Sequence, residues 1–192
     1  MSGDVKDLVF ALHREISRLH LVLEQCRQLY SNPETVFILN KTAGVFFQVV
    51  QSQFFDALLL GISRLTDKKV TRGKSNLSIN VISEFVHDEM LKSEIESLCK
   101  KAVIASQFAR NHRNKRISHS DQAYYESQES SSLDTATFSK VEESLKAIEA
   151  VISLVFSRCL NTVVEYRFIN LQGSANSLVC KLKQLEVPNE SR

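Results

Sequence analysis

Tryptophan is absent from this chain, and residues that break regular structure are scarce: two prolines and five glycines in 192 residues. That scarcity excludes an architecture of many short strands and tight turns and leaves long helices. Cysteine is also rare. Cys26, Cys99, Cys159 and Cys180 show no CxxC spacing and have no His or Cys at zinc-knuckle distance. This excludes a disulfide framework and a zinc finger; the expectation is four reduced thiols in the core of a cytoplasmic protein. An excess of one charge is missing as well, because 24 Lys and Arg face 22 Asp and Glu for a net charge of +2. A general nucleic-acid coat would be more basic, so any anion site has to be local. Finally, no apolar run is uninterrupted. The richest stretch, AGVFFQVVQSQFFDALLLGI, contains Gln48, Gln51, Ser52, Gln53 and Asp56. Such polar groups are costly inside a bilayer, so the stretch reads as a buried helix of a protein without a membrane span. The start, MSGDVKDLVF, carries acids and no long apolar segment, which does not fit a secretory leader.

What is present is helical periodicity. Hydrophobic residues make up 43% of the chain, enough for a core. One domain over residues 1–186 is expected, followed by a disordered tail at 187–192. In the first helix, from about Asp4 to Tyr30, Leu12, Ile16, Leu19, Leu23, Cys26 and Tyr30 recur at steps of four and three. That seam suits antiparallel packing against another long helix. Asn32–Pro33 marks a break and a capped restart. A second long helix is expected over 42–66. Its apolar residues, Val45, Phe46 and Val49 among them, surround most of its axis and call for cover by neighbours or a second subunit. VTRGKSN reads as a loop, with Ser75 or Asn76 capping a short helix through LSINVISEF. A third long helix is expected from Asp88 to His119, then a polar loop at 120–134. The next helix is capped by Asp134 or a nearby Thr and carries a seam from Phe138 to Cys159. A last helix is expected near 174–185. No strand and no phosphate-binding P-loop is recognisable. The fold class is all-α: a bundle of four long helices plus short ones.

One segment departs from the periodicity. In RNHRNKRISHSD the cations Arg110, Arg113, Lys115 and Arg116 and the imidazoles of His112 and His119 surround a single apolar residue, Ile117. Cations near a helix C-terminus are favourable by about 0.3–1 kcal/mol each, so a basic helix end needs no function of its own. Against that stands the lack of any acid at i±3 or i±4 to these cations, and the presence of two side chains that titrate near neutrality. Arg113 and His119 lie about 120° apart around a helix axis, whereas His112, Arg116 and His119 share a face more closely. Geometry alone leaves both sets open.

Arg113 and His119, with five residues between them, resemble the R-x(4–6)-H motif of the HEPN superfamily of helical domains. FFDALLLGISRLTDKKVTRGKSNLSI resembles the abortive-infection, AbiU-like branch of that superfamily, and the similarity spans about residues 40–122. The resemblance implies a metal-independent endoribonuclease of a defence or toxin–antitoxin type, without a cofactor, acting on RNA as a homodimer whose two motifs share one cleft. It makes Arg113 and His119 the catalytic pair and Asn114 the polar residue after the arginine. Arg110, Lys115 and Arg116 then contact backbone phosphates. Arg64 and Asp67 either pair with each other as i, i+3 or help to orient the motif, with His112 as a further supporting candidate. Tyr124 and Tyr125 either stack on a base or anchor their loop. His13, His20 and His87 read as structural or surface residues. An antitoxin or other regulatory protein is an expected partner. The competing readings are a non-catalytic helical interaction module of the same descent and a nucleotide-binding regulator using the same basic helix end.

Overall fold

The structure, a computed structural model, describes residues 5–117, 135–166 and 172–186. The first helix, α1, runs Val5–Tyr30 and buries the expected seam: Leu12, Ile16, Leu19, Leu23 and Cys26 are all 0–4% exposed. Tyr30 closes the seam half-buried, its hydroxyl donating to the Phe47 carbonyl at 2.7 Å. Asn32 then caps α2, accepting from the Glu34 N–H at 2.8 Å with Pro33 at the first helical position.

Helix α2 spans Pro33–Leu65, so it starts nine residues before the expected 42. Ala43 interrupts it with non-helical angles (φ −158°, ψ 64°), which divides it into two rods. The last two turns of the C-terminal rod are core: Leu58, Leu59 and Ile62 are fully buried and Leu65 nearly so. Gly61 lets α1 approach closely, because a Cβ there would collide with the δ-methyls of Leu19. Phe37 before the kink, and Val45, Phe46 and Val49 just after it, are 56–79% exposed in the single chain, so of the two kinds of cover expected, neighbouring helices do not supply theirs. By length and apolar composition alone α2 could cross a membrane, although its C-terminal half is packed as the centre of this bundle.

After α2 the chain makes a small antiparallel hairpin, which the sequence reading placed as a loop. Strands β1 (Val70–Thr71) and β2 (Lys74–Ser75) pair in register Val70↔Ser75 and Thr71↔Lys74 around Arg72–Gly73. A 3-10 helix follows at Ile79–Phe85, capped by Ser78 where Ser75 or Asn76 was expected.

Helix α3 covers Glu89–Ala105, capped by Asp88 through the Leu91 N–H at 2.7 Å. The expected single helix over 88–119 is broken at Ser106. Past it lie the short α4 (Gln107–His112) and a π-turn over Arg113–Ile117. No Gly or Pro causes the break. A tertiary contact holds it: Ser144 Oγ lies 2.9 Å from the Ala105 carbonyl. Helix α5 (Phe138–Leu160) is capped by Thr137 and presents Val141, Leu145, Ile148, Ile152 and Val155, all fully buried. Helix α6 (Ala175–Glu186) begins under two glutamines of α1, which take up its first free N–H groups: Gln25 Oε1 accepts from Ala175 (2.7 Å) and Gln28 Oε1 from Asn176 (2.9 Å).

The main core gathers α1, the end of α2, the 3-10 helix, α3, α4 and α5; a smaller cluster of Leu29, Leu39, Phe47 and Val179 sits near α6. The architecture is all-α apart from the hairpin. Of the four cysteines, Cys26 and Cys99 are buried, and burial pushes both thiols up to about 12. Cys159 and Cys180 are exposed, contrary to the expectation of four core thiols: Cys159 falls near the end of α5 and Cys180 on an exposed position of α6. The expected tail at 187–192, the 120–134 loop with Tyr124 and Tyr125, and the cap at Asp134 lie outside the described residues.

Candidate functional site

The last carbonyls of α2 have no partner within the helix and must be met from elsewhere. Side chains from three places meet them. Ser78 Oγ donates to Asp67 O at 2.6 Å, with Leu65 O at 3.2 Å. Asn80 Nδ2 reaches Asp67 O at 2.9 Å and Thr66 O at 3.2 Å. Arg110 Nη2 donates to Thr66 O at 2.7 Å, setting a cation on the negative end of the helix. The segments RLTD and NLSIN are therefore one stitched unit, with α4 fastened to it.

That unit presents the Asp67 carboxylate to the motif arginine. Arg113 Nη1 donates to both carboxylate oxygens, at 2.7 and 2.9 Å, and its Nε donates to Asn114 Oδ1 at 3.1 Å. Arg110 Nε lies 3.8 Å from the same carboxylate. The acid that these cations lack at helical spacing comes from 46 residues earlier in the chain. Asp67 thus takes the orienting option and does not pair with Arg64.

A cleft of about 680 Å³ opens beside this group, between the α2 end, the hairpin and the start of the π-turn. Arg64, Lys68, Arg72, Arg110 and Arg113 line it, and among the described lining residues Asp67 is the single carboxylate. Five cations against one anion leave an excess of positive charge in a concave space, an arrangement that attracts phosphates. Asn114 also lines the cleft. Lys115 is exposed and His112 half-buried, and neither is among the described lining residues. His119 and the Arg116 side chain lie outside the described residues. Among the described residues, no three His, Cys, Asp or Glu side chains converge as a metal-binding group.

A family model of the HEPN group, described as AbiU2, matches residues 2–175. The chain belongs to the AbiU2 family of HEPN domains. Comparison with curated proteins and comparison with solved structures each gave no match.

Reasoning on the sequence missed two features of this AbiU2 domain. The first is the hairpin wall of the cleft, Lys68 and Arg72; the run DKKVTRGK held its cations in view but gave no sign that they would face Arg113. The second is that His13 and His20 do have partners. Tyr166, from the segment after α5, packs against both. Its hydroxyl lies 3.1 Å from His13 Nδ1, and its ring stacks on His20 with centroids 5.3 Å apart. Glu149 Oε1 lies against His20 Nε2. Burial raises the Tyr166 phenol, helped by the Glu149 charge, and burial lowers the His13 imidazole. No sequence signal links residues 153 positions apart.

Proposed function

We propose that this AbiU2 domain is a metal-independent endoribonuclease of a defence system, working in the cytoplasm as a homodimer. The observation that carries the reading is the excess of cations around the motif arginine. In this mechanism the 2′-hydroxyl of RNA loses its proton to a base and attacks the adjacent phosphorus. The bond from phosphorus to the 5′-oxygen breaks, and that oxygen takes up a proton. The products are a 2′,3′-cyclic phosphate and a 5′-hydroxyl. Arg113 offsets the charge that builds on the non-bridging oxygens, where a guanidinium with several donors acts most strongly. Asp67 fixes the guanidinium, and Asn114 fixes its Nε. His119 moves the proton, a task for a group that titrates near neutrality. Arg110 clamps α4 to α2, and Arg116 and Lys115 add backbone contacts. His112 supports the helix end. A regulatory partner keeps the activity in check.

The test is direct. Purified protein with RNA in EDTA should release cyclic-phosphate ends, and His119→Ala should stop that release while the circular dichroism spectrum stays unchanged. Equal behaviour of the two proteins would sink the nuclease. Sedimentation at micromolar concentration should give a dimer; a clean monomer contradicts a shared cleft.

The exposed apolar face of α2 favours a second reading, a non-catalytic interaction module. Phe37, Val45, Phe46 and Val49 are exposed on the part of α2 remote from the cleft, with Val45 roughly 30 Å along the axis from Asp67. That reading requires a stable complex with another protein and no turnover.

A further inference from the structure

The two walls of the cleft differ in how far their cations are already engaged. On the motif wall, Arg113 is bound to Asp67 and Arg110 to the Thr66 carbonyl. On the hairpin wall, Lys68 and Arg72 have no carboxylate partner among the described residues, while their neighbour Lys69 is paired with Glu84 at 3.1 Å. One phosphodiester at Arg113 would leave the hairpin wall uncompensated.

The hairpin is built to hold that wall still. Asn76 Nδ2 donates to Lys68 O at 2.7 Å and to Thr71 Oγ1 at 2.8 Å, and Asn76 N donates to Lys69 O at 2.9 Å. Its tip carries an uncommon choice. Arg72 (φ 51°) and Gly73 (φ 76°) both lie in the left-handed region, where two-residue hairpin turns prefer Asn–Gly or Asp–Gly. An arginine there carries backbone strain that a glycine or asparagine would avoid. Strain of that kind, kept at the rim of a cationic cleft, points to a role for the side chain.

We infer that Lys68 and Arg72 form a second phosphate-binding subsite, which grips the RNA backbone at a nucleotide next to the one held at Arg113. This rests on reading the cleft as an RNA site, and it makes the preferred ligand a single strand with at least two phosphates. The bases are not read by this subsite, since among the described residues neither side chain has a partner that would orient it toward a base edge.

The experiment uses the full-length chain in EDTA with a fluorescent single-stranded RNA of about ten nucleotides, 2′-O-methylated so that it cannot be cleaved. Arg72→Asn keeps a residue that tolerates the left-handed turn, and Lys68→Gln keeps the stem of the side chain. Each variant should bind about five- to tenfold more weakly at low salt. The slope of log K against log salt should fall by about 0.7 per lost contact, the value for single strands. A nucleoside 3′-monophosphate, with one phosphate, should bind wild type and variants alike. Unchanged RNA affinity and slope in both variants would overturn the subsite. An equal loss for the monophosphate would overturn its assignment to a second phosphate. Cleavage of unmodified RNA is read separately. If wild type never cuts but Arg72→Asn still weakens binding, the nuclease reading fails and the subsite stands.

Discussion

The cleft at Asp67, Arg110 and Arg113 and the cluster of His13, His20 and Tyr166 are assembled in the same way. Each brings polar side chains together from parts of the chain far apart in sequence. They differ in what remains once their internal contacts are made. In the cluster, hydroxyl meets imidazole, ring meets ring and Glu149 meets His20. These groups are taken up by one another, and the effect is to fasten the segment after α5 against α1. In the cleft, one carboxylate serves two arginines and three further cations face open space. A gathering of titratable groups therefore does not define a site. The excess left after pairing does, because only an unbalanced set has something to offer a ligand.

Substitutions can break that contrast. The largest effect is expected from Arg113→Ala, which should lower RNA cleavage by about 10²–10³-fold, the usual loss for one donor to a charged transition state. Thermal melting should stay close to wild type; a collapse of the fold would move Arg113 to the structural side of the comparison. Asp67→Asn should follow, with a drop of about 10- to 100-fold in kcat and a smaller change in KM, because a misplaced guanidinium still attracts RNA but no longer meets the reacting phosphate. A faster enzyme would reverse the assignment and make Asp67 a screen over the cation. Tyr166→Ala should act in the opposite sense. It should cost about 1–3 kcal/mol in urea unfolding, less than a fully buried aromatic, and leave RNA binding unchanged. Loss of binding in this variant would mean that the two regions are coupled.

The smallest effect is that of pH. His13 is held below its ordinary pKa of 6.5 by burial. A base whose folded pKa is lowered takes up protons more readily when unfolded, so stability is present above 6.5 and is lost as pH falls below it. Urea midpoints should therefore decline between about pH 7 and pH 5. His13→Gln should flatten that decline, and an equally steep decline in the variant would assign it to other groups.

The contrast also marks how far the sequence could be read. Seams of four-three spacing made α1 and α5 plain, and Asn32 announced its cap, because these signals are local. The Arg113 motif stood out for the same reason. The break at Ser106 did not, since the contact made there, Ser144 with the Ala105 carbonyl, comes from 39 residues away in the chain. Neither did the pairing of Asp67 with Arg113 or the stacking of Tyr166 on His20, which depend on how distant segments meet. The RLTD and NLSIN segments, met first as family resemblance, have a physical account: they close the end of α2 and aim its aspartate. The hairpin escaped notice because two residue pairs are too few to alternate, and Arg–Gly is not a usual turn signal.

The break at Ser106 has a mechanical meaning. From Gln107 to Ile117 the chain forms an arm pivoted at a single residue, with Arg113 more than halfway along it. An arm roughly 16 Å long, turned by about 10°, carries its tip about 3 Å, which exceeds the ~1 Å tolerance of reacting groups. Two fasteners set that angle: Ser144 at the pivot and Arg110 one turn along. The aim of the motif is thus held from both sides, by α5 at the pivot and by the end of α2 along the arm. Loosening either fastener would therefore be magnified along the arm, as a worn hinge shows most at the edge of its door.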